Sequence, residues 1–503
     1  MENKSVIIIG GGFAGLSAGI YARMNGYKAT IFEMHDQPGG LCTAWKRKGY
    51  TIDGCIHWLV GSSPLSSMHR NWLEVGLIQG REILNAEEYM QFETTSGKTL
   101  VLYSDVDRLE KHLLEFSPGD REHILEFTGG IRLCRVFDRP SKEVPLMKRV
   151  MAALKLFKTF IFQGPEMKKW MNTTAADFAD RFRDPDLREL IREMWFPEFS
   201  LLFMFFTFAW LDKKNAGYPV GGSLPMSEAL EKRFLGLGGQ INYKKKVEKI
   251  LVENDRATGV RLTDGSEHYA ERVISAADGY STIFKMLDGK YADKNIKAIY
   301  EKWHPFPPLL FIGLGVKRTF EEEPVTVSGL SFPLKEPVMI GGTLRNRLPV
   351  HIYNQDPTLA PPGKTTLVVM LDTSYEYWKD LSKDRKTYLA QKEEESMKVI
   401  TLLEQRFPGI AADVEMVDVA TPMTFERYTG NWKGSFEGWL ITPENSSTVM
   451  KPMSQQLPGL KNFYMCGQWV EPGGGLPTGV ISARRLFKTI CREDKRKFVA
   501  TLP

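Results

Sequence analysis

The chain has 503 residues, more than one hydrophobic core usually organises, so two or more substructures with a large shared core are expected. Its 66 basic residues barely exceed its 61 acidic ones, and no basic block is interleaved with aromatics, which argues against a nucleic-acid groove. Five scattered cysteines, Cys42, Cys55, Cys134, Cys466 and Cys491, form no Cys-x-x-Cys or Cys/His cluster, so no disulfide framework or metal site is expected and a reducing cytoplasm fits.

Met1 to Ser5 lead straight into an apolar strand, which leaves no room for a signal peptide. That strand, Val6 to Ile9, ends in Gly10-Gly11-Gly12-Phe13-Ala14-Gly15, a Gly-x-Gly-x-x-Gly turn into a helix. A second apolar strand, Ala29 to Phe32, delivers Glu33 one βαβ unit later. In that order Gly10 permits the turn, Gly12 admits a phosphate to the backbone, Gly15 lets helix and strand pack, and Glu33 accepts ribose hydroxyls. The helix amides would hold the pyrophosphate, and the acid disfavours a 2′-phosphate. A glycine-rich hairpin would show the glycines without this ordered company.

Asp36-Gln37-Pro38-Gly39-Gly40 follows as a loop whose paired glycines again allow close backbone approach, then a hairpin from Trp45 to Gly54. From Leu73 to Asn215 the pattern is mainly helical, with a strand at Thr99 to Tyr103. Gly217 to Gly222 restore the punctuation. They precede a helix, a β meander through Val247 to Val252 and Ala257 to Leu262, and a returning strand at Glu271 to Ser275. A mixed region with strands at Leu309 to Val316 and Thr365 to Leu371 and a polar helix from Ser382 to Arg406 runs to Tyr428. The buried strand Asn462 to Gly467, the breaker Pro472 to Gly479 and a helix from about Val480 to Cys491 close the chain. Residues 1–72, 216–281 and 429–503 thus read as one nucleotide-binding domain, interrupted by a substrate- or membrane-facing insertion at 73–215 and a second substrate segment at 282–428.

No run of eighteen apolar residues occurs; the nearest, Phe199 to Leu211, is too short to span a bilayer and reads as core, cavity wall or interfacial. Between Lys148 and Phe162, apolar Val150, Leu154, Phe157 and Ile161 recur at helical spacing with Lys148 and Lys155 opposite and Arg149 and Lys158 flanking. That pattern suits either a helix packed on its own domain or one lying on an anionic membrane. Candidates for proton transfer are His57, after the hairpin, and Glu471, in the last glycine-rich loop; Asp53 reads as a turn cap and Cys466 as an inert buried thiol.

With these pieces in place the chain resembles the flavoprotein family of bacterial phytoene desaturases, carotenoid cis-trans isomerases and retinol saturases. The likeness is carried by residues 5–60, 217–279 and 457–490. It implies an α/β fold: a discontinuous Rossmann-like FAD-binding domain of the glutathione-reductase/amine-oxidase type with an inserted α+β substrate domain. It implies FAD held by Gly10, Gly12, Phe13, Ala14 and Gly15 at the pyrophosphate and by Glu33 at the adenosine ribose. Gly39, Gly40 and Leu41 would pass close to the cofactor, the Val247 backbone would lie beside the adenine, and Gly467, Gly479 and Val480 beside flavin and pyrophosphate. A final helix beginning at Gly479 would turn its amides and positive dipole end toward the charge of a reduced flavin.

The resemblance further implies hydride transfer that desaturates or saturates carbon-carbon bonds of a long apolar isoprenoid or polyene, or cis-trans isomerisation without net redox. No second strand-Gly-x-Gly-x-x-Gly-helix unit is visible, so a diffusible electron acceptor or donor is expected. Where phytoene desaturases carry small residues and His-Pro, this chain has Gln468-Trp469-Val470-Glu471-Pro472, which argues against phytoene itself. An amine or porphyrinogen oxidase of the same fold and a flavin-free escort of prenylated proteins are the readings from other classes. A cytoplasmic protein, in peripheral contact with the inner face of a membrane through 148–162, is the expected location.

Overall fold

Val6, Ile7, Ile8 and Ile9 are all buried because both faces of their strand are covered, as a continuous apolar run in a parallel sheet requires. In the computed structural model, which describes residues 4–138, 140–141, 144–449 and 451–503, strand Ser5–Ile9 is the centre of a five-stranded sheet. Across that sheet the order is Gln240–Asn242, Lys28–Phe32, Ser5–Ile9, Arg272–Ser275 and Phe463–Met465, every pair parallel. Segments more than 450 residues apart in sequence therefore share one sheet. The strand period of two sorts the faces. Val6 and Ile8 pack with helices Phe13–Met24, Ser223–Gly236 and Gly475–Glu493 through Leu16, Ile20, Phe234 and Leu486. Ile7 and Ile9 face the antiparallel meander Val247–Glu253, Arg256–Leu262 and Glu267–Tyr269 through Val247, Ile250 and Val260. Arg272 clamps the C-terminus to this sheet, both terminal nitrogens reaching the buried Asp494 carboxylate at 2.8 Å.

The region expected to be a helical insertion is more closely tied to the second one than its pattern suggested. Strands Glu88–Glu93 and Thr99–Tyr103 form the edge of a seven-stranded sheet whose other members, Leu330–Ile340, Thr343–Ile352, Thr365–Asp372, Leu309–Val316 and Val414–Ala420, come from the second insertion. A lone hairpin is marginal in water, and pairing Leu330 and Ser331 with Gln91 and Phe92 gives it a sheet to join. The polar helix expected from Ser382 starts instead at Arg385, because the Asp384 carboxylate caps it by accepting from the Lys386 and Thr387 amides at 3.3 and 3.0 Å.

The aromatic run becomes helix Leu201–Asp212, apolar on all sides, with Leu202, Phe205, Phe206 and Phe208 buried and Phe203 and Trp210 half-buried. Among the described residues no helix is long and apolar enough to cross a membrane. The last helix also differs from expectation: it runs from Gly475 to Glu493, four residues earlier than Gly479. Pro477 is compatible with a first helical turn, whose amides need no partner inside the helix, so the proline does not break it.

Candidate functional site: a dinucleotide cradle

Three glycines of the first turn do different work. Gly10 sits at φ +97°, where an L side chain is strained. At Gly15 a Cβ would stand 1.9 Å from the Gly10 carbonyl oxygen, so helix and strand can meet only without one. Gly12 has an ordinary backbone, φ −73° and ψ −179°, and a Cβ there would meet nothing nearer than the Gly39 oxygen at 3.6 Å. The fold itself tolerates a side chain at Gly12; a group lying on that backbone does not. No side chain caps the helix behind it and no acid occupies its first turn, which leaves its leading amides for an anion.

Glu33 is buried, its Oε2 accepting from the Gly11 amide at 2.6 Å and its Oε1 from the His35 amide at 2.7 Å. Burial raises its pKa and the two backbone donors pull the other way. Each oxygen keeps a further acceptor site for a hydroxyl. The Lys245 amide donates to the Glu33 carbonyl at 2.8 Å, which sets Val247 two residues on, in the same core as Phe32. Gly39 donates its amide to the Gly11 carbonyl at 3.0 Å and bridges to Gly12. Gly39 and Gly40 are at φ +112° and +61°, with the half-buried Leu41 following.

The C-terminal glycines close on the same point. A Cβ at Gly467 would lie 3.0 Å from the Ala14 methyl, and one at Gly479 3.1 Å from the Ala14 amide nitrogen. The structure thus brings Gly10, Gly12, Gly15, Gly39, Gly467 and Gly479 around Phe13 and Ala14. With the last helix beginning at Gly475, Gly479 and Val480 lie inside it: Gly479 permits close helix contact and the fully buried Val480 packs the core.

The leading amide of that helix, Gly475, donates to the Glu437 carboxyl at 3.1 Å. Glu437 is half-buried with its carboxyl enclosed, and burial pushes its pKa up to about 8 against the pull of that amide. Sequence reasoning missed this residue: Phe436-Glu437-Gly438 carries no periodic or motif signal, and its partner is 38 residues away.

Glu471 is paired with Arg485 of the same helix at 2.6 Å, its pKa raised by burial and lowered by that cation. Trp469 is buried, donating its Nε1 to Asn431 at 3.1 Å and meeting Trp439 edge-on at 5.0 Å. Asp53 does more than close its turn. Its carboxylate accepts from the Cys55 and Ile56 amides and from both the amide and hydroxyl of Ser223, tying the hairpin to the helix at 223. Burial holds the Cys466 thiol up at about 12, which keeps it inert. His57 is deeply enclosed, its pKa lowered to about 4 by burial alone, so its ring is neutral at physiological pH.

Residues 13–486 match the family described as flavin containing amine oxidoreductase. The chain belongs to that family. Prolycopene isomerase of Daucus carota is 25% identical over 97% of this chain and 81% of its own length. Phytoene desaturase (lycopene-forming) of Pseudescherichia vulneris is 22% identical over 98% of this chain and 99% of its own. In shape, cyclohexylamine oxidase from Brevibacterium oxydans matches with a TM-score of 0.62 at 15% identity, covering 98% of this chain and 100% of that one. An oxidoreductase from Methanosarcina mazei matches at 0.61 with 18% identity, covering 96% and 100%.

FAD is the cofactor of this flavin-containing oxidoreductase, and the residues fit it. The Gly12 backbone and helix amides suit the pyrophosphate, and Glu33 suits a ribose. When bound, FAD supplies a flavin N5 able to take or return a hydride.

Proposed function

We propose that this oxidoreductase acts on the carbon-carbon bonds of a long, largely apolar isoprenoid or polyene, desaturating or saturating it. The observation that carries the reading is the apolar wall that abuts the flavin-side loop. Met167, Met171, Leu202, Phe203, Phe206 and Ile441, with Ser200 and Ser446, line one narrow crevice of about 10 Å³. A Cβ at Gly473, in that loop, would lie 3.2 Å from the Phe203 ring and 3.4 Å from Ile441. For a substrate without charge, such a wall supplies both binding energy and exclusion of water. Relatives named for carotenoid desaturation and isomerisation, matched over nearly the whole chain, support the same substrate class.

The isomerase names favour a second reading, in which reduced flavin assists cis-trans isomerisation without net redox. Anaerobic turnover with candidate polyenes separates the two. Flavin bleaching with a product lighter by two hydrogens supports desaturation, and oxidation of reduced flavin with a product heavier by two supports saturation. A shifted polyene spectrum at constant mass overturns the redox reading in favour of isomerisation. Electrons pass to or from a diffusible partner.

Peripheral contact with an anionic membrane belongs to this proposal. The helix Leu146–Met171 presents Val150, Leu154, Phe157 and Ile161 outward, 47–64% exposed, rather than packing them on its own domain. Leu146, Met147, Met151 and Phe162 widen the patch, while Met167 and Trp170 anchor the far end in the core. Arg149 and Lys158, which flank the stripe, complement anionic headgroups. Because Met167 and Met171 also line the apolar crevice, the same helix joins the exposed patch to the loop at Gly473.

A further inference from the structure

One group of buried polar atoms has no hydrogen-bond partner within the protein. His351, near the end of strand Thr343–Ile352 in the seven-stranded sheet, is 3% exposed, and neither of its ring nitrogens has a hydrogen-bond partner. His57 lies against it, ring centroids 5.2 Å apart and planes at 68°, and its buried Nδ1 is also unpartnered. Buried polar atoms in folded proteins are almost always bonded, so three together mark a place built for another polar group.

The pair is held rigidly. The Ile56 amide, next to His57, donates to Asp53 at 3.1 Å and to the Ser223 hydroxyl at 3.0 Å. His351 is registered against Val368 of the neighbouring strand and meets the Tyr353 ring at 4.2 Å with the planes tilted by 52°. Both rings are neutral: burial lowers His57 to about 4, and burial together with His57 lowers His351 well below the usual range. A neutral imidazole carries one N–H donor and one bare acceptor nitrogen. Two of them can therefore give a hydrogen bond to a hydroxyl and take one from it, or donate to a carbonyl, but they offer no charge to a carboxylate or a phosphate.

Beyond the histidines a series of aromatic side chains follows in contact. Trp58 adjoins His57 at 6.2 Å, Tyr89 adjoins Trp58 at 6.2 Å, and Phe208 of the aromatic helix adjoins Tyr89 at 5.0 Å. The unpartnered histidines thus adjoin a contiguous aromatic cluster that reaches the aromatic helix.

We propose that His57 and His351 form a subsite for one uncharged oxygen function, a hydroxyl or a carbonyl, at the end of an otherwise apolar polyene. This rests on the polyene reading above and narrows it to substrates oxygenated at one end.

The test is equilibrium titration of the FAD-loaded full chain with two polyenes in detergent micelles, lycopene and its 1-hydroxy-1,2-dihydro derivative, followed by the polyene absorption bands. The wild-type protein is expected to bind the alcohol at least about tenfold more tightly than the hydrocarbon, the worth of a matched buried hydrogen bond. His351→Phe and His57→Phe should erase the preference with the flavin still bound, and His351→Gln, which keeps a donor and an acceptor, should restore part of it. Equal binding of both polyenes by wild type overturns the subsite and leaves the polyene reading standing; binding of neither overturns both. A preference that survives in both phenylalanine variants assigns the recognition elsewhere. Flavin lost from His351→Phe, with His57→Phe retaining the preference, assigns His351 to the cofactor.

Discussion

Gly12 separates what a residue does for the fold from what it does for a ligand. A side chain there meets only ordinary contacts inside the protein, so Gly12→Val is expected to fold with a melting temperature close to that of the flavin-free wild type. The same variant should lose the yellow flavin band almost entirely, because the new methyls stand where the pyrophosphate approaches. Gly15→Ala should behave in the opposite way, losing stability by about 1–3 kcal/mol in denaturant titration, since its methyl collides with the Gly10 carbonyl. The packing role of Gly15 was legible in the sequence, where the spacing of the turn assigns it. Glu437 was not legible, because only the folded chain sets its carboxyl against Gly475. Its pKa of about 8 exceeds that of an unfolded glutamate, so the folded state holds the proton more tightly. Stability should therefore fall as pH rises from about 5 through about 8. Glu437→Gln should flatten that slope, read as melting temperature against pH, and a variant that keeps the wild-type slope would show that Glu437 is not the titrating group.

At the scale of the element, pattern and environment part company. The spacing of Val150, Leu154, Phe157 and Ile161 foretold a helix and its apolar stripe but could not say what the stripe faces. Folded, the stripe is exposed, while Met167 and Trp170 at the far end are buried in the core. Leu154→Glu combined with Phe157→Glu should thus leave unfolding free energy within about 0.5 kcal/mol of wild type, as surface substitutions do. It should cut binding to anionic vesicles by at least about tenfold in co-sedimentation, through lost apolar burial and added like charge. Unchanged vesicle binding would remove this helix from any membrane contact. The start of the last helix is the converse case: Pro472 to Gly475 and Pro477 read as a break extending to Gly479, yet a proline within a first turn loses no intrahelical bond.

For the whole molecule, the decisive contacts join residues far apart in sequence. Arg272 and Asp494 hold the C-terminal segment to the central sheet, with Lys4 and Tyr27 sharing the carboxylate. Burial opposes the charge on Asp494, but these partners outweigh it and keep its pKa at about 2. The stability they confer is complete above the unfolded aspartate pKa and is lost as pH falls toward 2. Arg272→Met, which leaves a buried carboxylate short of its main partner, should cost about 3–5 kcal/mol in denaturant unfolding at neutral pH, and a much smaller loss would show that Lys4 and Tyr27 suffice. The sequence by itself determined the first strand, its glycine-rich turn and helix, and the acid that follows the second strand. Those features are local, written in strand alternation, helical spacing and the positions where glycine alone fits. The tertiary structure alone decided that both insertions share one sheet, that Glu437 meets the last helix, and that His57 faces His351. Such contacts are created by chain crossings over hundreds of residues, and no local period records where a chain will cross itself.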